Sequence, residues 1–320
     1  NNRQLRQEVM VNVFASDMID NDALLTTTIM RQALSSRSER DDRAKAVKLF
    51  FEDIGGPRRE TIFMRAVEPD QPKLFDQFID LMTRTVEDET REIAARDGQI
   101  AFAQQQVLLY KRLSVKNRSF QNIVTKAIVS DKPKYLSTLC SMLKNEEMIL
   151  TRKDEAGRTI KEDVVADEKS PAPRNPGLSL LLQQDARGNT PYHTAAFLSR
   201  TDCLKRLFNN LSLMDSYMIA SRIPNRYGVT VQDTMDPKIV AQKLTGQLKS
   251  GKINQNDAQQ LLTLSKRQTR ELKEFLGEMV QRASDTIERT GGLSEAKPTF
   301  DLKRVPTVML MLREMKKKQA

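Results

Sequence analysis

Residues 185–196, Asp-Ala-Arg-Gly-Asn-Thr-Pro-Tyr-His-Thr-Ala-Ala, constrain the fold of this chain more than any other stretch. Gly188 suits a turn that needs a positive φ. Thr190 carries a hydroxyl suited to capping a helix, and Pro191 then falls at the first helical position, where no amide hydrogen is required. Ala195 and Ala196 are small enough to let a neighbouring helix approach closely. Leu204 and the Leu207-Phe208 pair follow with the spacing of a second helix. The stretch therefore specifies a tight turn, a short helix and a second helix.

The register set by Thr190 recurs along the chain. It falls at Thr28, Thr61, Asn122, Thr159, Thr190 and Thr230, with 33 residues between the first two and 31 between Thr159 and Thr190. Asp154 to Thr159 repeats the Asp-x-x-Gly-x-Thr turn, and Asn225 to Thr230 carries a variant of it. The step from Thr61 to Asn122 is double and predicts two units, the first degenerate. Residues 185–196 with Leu204 and Leu207-Phe208 resemble the ankyrin repeat, Tyr192 alone departing from its core by replacing Leu. The resemblance covers residues 22 to 245 and is strongest over 185–210. It implies an all-α solenoid of six or seven helix-turn-helix repeats with a protein partner on the concave face and turn tips. The irregular insertion and degenerate repeats also resemble translocated effectors of intracellular bacteria. That likeness implies a host protein as target.

The flanks read differently. Leu5, Val9 and Val13 lie near one helical face, so residues 1–21 are expected to form a capping helix for an array over 22–236. Residues 162–176 are polar and hold Pro171, Pro173 and Pro176, which predicts a loop insertion. Residues 237–320 break the pattern and predict a helical C-terminal region ending in a basic tail, with Asn256 or Asp257 capping its longer helix.

Composition narrows the function. Two cysteines, Cys140 and Cys203, make no disulfide framework and favour a reducing, cytoplasmic compartment, or a host cytosol for a translocated protein. No apolar run reaches the ~20 residues of a membrane span. The first residues lack Met and a signal-peptide core, so residues are expected to precede them. A formal net charge of +10 favours acidic partners.

Candidate chemistry is sparse. Gly246 to Lys252 satisfies Gly-x-x-x-x-Gly-Lys, but a phosphate loop needs a preceding buried strand and a Ser or Thr after the Lys, and Ile253 stands there. The sole histidine, His193, occupies the ankyrin pattern's His position, which implies a bracing role and not a base for Cys203. No catalytic residue, metal site or cofactor is expected. The turns instead carry Arg58, Arg59, Arg118, Arg158, Arg187 and Arg226, and arginine pairs bidentately with carboxylate or phosphate. The expected function is a protein-interaction scaffold whose arginine-bearing turn tips meet an acidic protein surface. The alternatives are an enzyme acting through its C-terminal helices and a binder of anionic lipid or nucleic acid.

Overall fold

The structure, a computed structural model, describes residues 46–54, 57–68, 71–144, 149–153, 159–163, 175–209, 211–289 and Val305. These residues are predominantly helical, as the all-α expectation requires, with one two-stranded hairpin. The expected capping helix over 1–21, the register at Thr28 and the basic tail, apart from Val305, lie outside the described residues. The chain divides into two compact units, residues 1–130 with 138–180 and residues 131–137 with 181–320.

In the first unit a helical stretch ends in a π-helical turn at Lys48–Glu52. It is followed by α1 (Ile62–Ala66), α2 (Pro72–Ala94), α3 (Gly98–Leu113) and α4 (Ile123–Val129). Pro72 opens α2 at a position that needs no amide hydrogen. Phe50, Phe51, Phe63, Phe75 and Phe78 are fully buried together, with the Phe51 and Phe63 ring centroids 5.0 Å apart and edge to face. Such pairs add to area burial because ring edge and ring face carry opposite partial charge. Leu74, Phe75, Phe78, Ile79 and Leu81 predict a second helix after Thr61 over Pro72 to Met82; α2 continues to Ala94. Thr85, Val86 and Thr90 are buried along the extension, and α3 returns after Asp97, whose carboxylate accepts the N–H groups of Gln99 and Ile100. Gln105 donates to Thr90, and Arg112 pairs with Glu89 at 2.6 Å, so the two helices form a hairpin. The double step thus holds this long hairpin and not the two repeats the spacing predicted.

Next come α5 (Pro133–Met142), β1 (Ile149–Lys153), β2 (Thr159–Asp163) and α6 (Pro176–Leu181). The strands pair antiparallel with Lys153 opposite Thr159. Thr159 therefore opens a strand where the register predicted a helix, while the turn expected over 154–158 lies outside the described residues.

The second unit holds α7 (Pro191–Phe197), α8 (Thr201–Phe208), α9 (Leu213–Arg222), a 3₁₀ turn at Gln232–Met235, α10 (Pro237–Lys249), α11 (Gln255–Lys266) and α12 (Arg270–Arg289). One core joins Phe197, Tyr227 and Val229 to Val240, Leu244, Ile253, Ala258 and Leu261. Residues 237–289 are thus packed into the same unit as the Asp185 turn. Asn254, not Asn256 or Asp257, caps α11 by accepting the Asp257 N–H. The Gly246 to Lys252 signature is a helix ending. Gly251 has φ 68°, its N–H donates to the Leu248 carbonyl, and the Lys252 N–H donates to the Gln247 carbonyl. This pair of hydrogen bonds is a Schellman C-cap, and a helix, not a strand, precedes it.

Candidate interaction surface

Three turns share one internal wiring. In the first, the Asn117 Oδ1 accepts the N–H groups of Ser119 and Gln121. Asp185 does the same for Arg187 and Asn189, and Asn225 for Tyr227 and Val229. In each, the first residue's N–H donates to the carbonyl four positions on, and its own carbonyl accepts from the residue three positions on. The position that closes this loop is left-handed: Phe120 at φ 59°, Gly188 at 75° and Gly228 at 76°. Arg59, at φ 51°, occupies the matching place in the turn before α1. After three of the turns the expected residue caps: Thr61 accepts from the Met64 N–H, Asn122 from Thr125 and Thr230 from Asp233; the Thr190 hydroxyl instead pairs with His193 Nδ1.

Turns lie tip beside tip within each unit. The Arg118 N–H donates to the Arg58 carbonyl at 2.9 Å, and the Arg226 N–H donates to the Arg187 carbonyl at 3.1 Å. Asn225 Nδ2 adds a bond to Asn189 Oδ1 at 3.0 Å. The approach is close enough that a Cβ on Gly188 would stand 2.6 Å from the Arg226 nitrogen, so only glycine fits there. Burial pushes the Asp185 carboxyl above its usual range, against the opposing pull of the Asn189 and Arg187 N–H groups. The two sister turns use asparagine and avoid that cost.

His193 ties the α7 turn to its neighbour. It is fully buried, and its Nε2 lies 3.1 Å from the Val229 carbonyl, which only accepts. Nε2 must therefore donate, leaving Nδ1 to accept from the Thr190 hydroxyl at 2.9 Å and from the Thr190 N–H at 3.3 Å. Burial lowers its pKa to about 4, against the Val229 bond and the Asp233 charge. Cys203 is equally buried, and its thiol is pushed up to about 12. Both side chains are withdrawn from solvent, and both ring nitrogens of His193 are already engaged, by Thr190 and Val229. Among the described residues no cluster of His, Cys, Asp or Glu is arranged to hold a metal ion.

In the first unit a buried charge network underpins the turn tip. The Lys126 ammonium reaches Glu60 Oε1 at 2.8 Å, with side-chain exposures of 6% and 3%. Glu68 is a second partner of Lys126 and also pairs with Arg58 at 2.8 Å. Burial works to raise the Glu68 carboxyl, but Lys126 and Arg58 together hold it below its usual value.

The six arginines expected on the turns fall into different states. Arg58 is paired with Glu68, and Arg187 is held by Asp257 and Gln260 of α11, both at 2.9 Å. Arg59, Arg118 and Arg226 are exposed, with no carboxylate at salt-bridge distance among the described residues. Arg158 lies outside the described residues. The arginines sit at different places within their turns, Arg118 and Arg226 at the second position but Arg58 and Arg187 at the third. The structure brings Arg58 beside Arg118 and Arg187 beside Arg226. Phe120 escaped the sequence reading, although counting three residues on from Asn117 places it where the Asp185 and Asn225 turns have glycine.

No protein-family model matches the chain, and no curated protein matches it. No helix among the described residues is long and apolar enough to cross a membrane.

Proposed function

We propose that this chain is a divergent ankyrin-repeat protein that acts as a scaffold, binding an acidic surface of a protein partner through its turn tips and concave face. The observation that carries the reading is the repeated turn. Asn117, Asp185 and Asn225 organise one loop geometry, and each unit seats two tips side by side through the same backbone bond. A pair of tips tied together presents side chains at fixed spacing, which lowers the entropy lost when a partner docks. Among the described turn arginines, Arg59, Arg118 and Arg226 are left open to a carboxylate.

The test reverses charge where it is unpaired. A chain carrying Arg59→Glu, Arg118→Glu and Arg226→Glu is expected to keep its helical circular dichroism and to recover at least about tenfold less of its partners from cell extract. Equal recovery by parent and variant overturns the reading.

A further inference from the structure

The tip formed by residues 57–60 and 117–121 contains a side chain that its fold does not need. Four non-glycine residues among those described have positive φ: Arg59, Phe120, Asp131 and Ser199. Phe120 is the one apolar member. The left-handed region brings Cβ against the backbone, so a residue other than glycine is held there at a cost. The matching position in both second-unit turns is glycine, Gly188 and Gly228. Burial offers Phe120 no return, because it is 58% exposed and the most exposed large apolar side chain among those described. Its ring packs on no other aromatic ring among the described residues, while the five-phenylalanine cluster of the same unit is fully buried.

The surroundings of Phe120 are cationic. Arg118 is two residues away on the same tip, and the Arg118 N–H bond to the Arg58 carbonyl sets Arg58 and Arg59 on the adjoining tip. Arg59 and Arg118 are exposed and unpaired among the described residues, whereas Arg58 is spent on Glu68. Beneath them Lys126 and Glu60 are locked together out of solvent, which fixes the base of the tip. An exposed aromatic ring flanked by arginines on a rigid loop has the composition of an interface anchor.

We propose that this tip docks an acidic peptide segment of a partner protein, with Phe120 covering an apolar side chain of the segment and Arg59 and Arg118 pairing with its carboxylates. The proposal rests on the scaffold reading above and names the chemistry that one of its tips recognises. A protein segment fits better than a nucleic acid strand. The tip carries Glu68 among its arginines and one ring alone, whereas a strand requires a basic track with successive stacking platforms.

The experiment compares the full chain with Phe120→Gly and with Arg59→Glu/Arg118→Glu. Random peptides are selected on the parent, and the winners are titrated by fluorescence anisotropy beside a labelled oligouridylate. Glycine accepts φ 59° without strain, so Phe120→Gly is expected to melt no lower than the parent. It is expected to bind the winners at least about tenfold more weakly. The winners are expected to combine Asp or Glu with a large apolar residue, and the charge-reversed variant to lose them also. Winners that bind Phe120→Gly as tightly as the parent overturn the inference. If they still depend on Arg59 and Arg118, the scaffold reading stands without it. A lower melting temperature for Phe120→Gly shows a packing role and overturns it as well. So do a selection yielding no Phe120-dependent acidic peptide and a Phe120-dependent affinity for the oligouridylate above that for the winners.

Discussion

His193 shows how one side chain can serve folding through its neutrality. Its ring donates to Val229 and accepts from Thr190, and both bonds require a single proton on Nε2. Its pKa of about 4 lies below the 6.5 of a free histidine. Folding therefore favours the neutral form, and the stabilisation is fully present above pH 6.5. It is lost as pH falls through the range down to about 4, where the folded protein protonates too. The full difference is about 3 kcal/mol at 1.36 kcal/mol per unit. Melting followed from pH 7 to pH 4 should fall steeply, and His193→Gln should flatten that slope while lowering stability at pH 7. An unchanged slope in the variant would show that other groups carry the acid sensitivity.

At the scale of elements, the turn before α1 and helix α4 are joined by charges taken out of water. Glu60 and Lys126 are separated by 66 residues in sequence and by 2.8 Å in space. Removing one partner of a buried pair leaves the other uncompensated, which typically costs about 3 kcal/mol or more. Lys126→Met is accordingly expected to lower stability by about that amount in urea titration, and adding Glu60→Gln should restore part of it, because a neutral amide needs no counter-ion. A double variant no more stable than Lys126→Met alone would deny the pairing its role. The same scale explains where element boundaries escaped the sequence. Nothing local ends α2 at Met82 or sustains it to Ala94; the return of α3, with Gln105 on Thr90 and Arg112 on Glu89, does.

At the scale of the whole molecule, the scaffold reading proposed above assigns the approach of a partner to the formal charge of +10 and its release to the contacts at the tips. Raising ionic strength should slow association with an acidic partner by about tenfold or more and change dissociation little, since exposed charges are screened over a Debye length of about 8 Å at physiological salt. Stopped-flow association at low and high salt measures this. A salt effect confined to dissociation would count against long-range steering.

What the sequence determined by itself is what needs only a few neighbouring residues. Asn117, Asp185 and Asn225 organise their turns through bonds that reach no further than four residues, and Thr61, Asn122 and Thr230 cap the helical turns that follow through bonds of three. Such bonds are written in residue type and spacing, so the turns and caps were legible, as was the bracing place of His193 within the repeat pattern. The tertiary structure decided what depends on distant partners. Asp154 to Thr159 carries the same local signature as the other turns, yet Thr159 opens a strand because Lys153 stands opposite it. Arg187 and Arg226 look alike in sequence, but Asp257 and Gln260, seventy and more residues away, hold the first and leave the second exposed. The physical reason is the same in both cases: a charge or a strand edge is satisfied by whichever group the fold brings within reach, and that group is fixed by packing and not by neighbours in the chain.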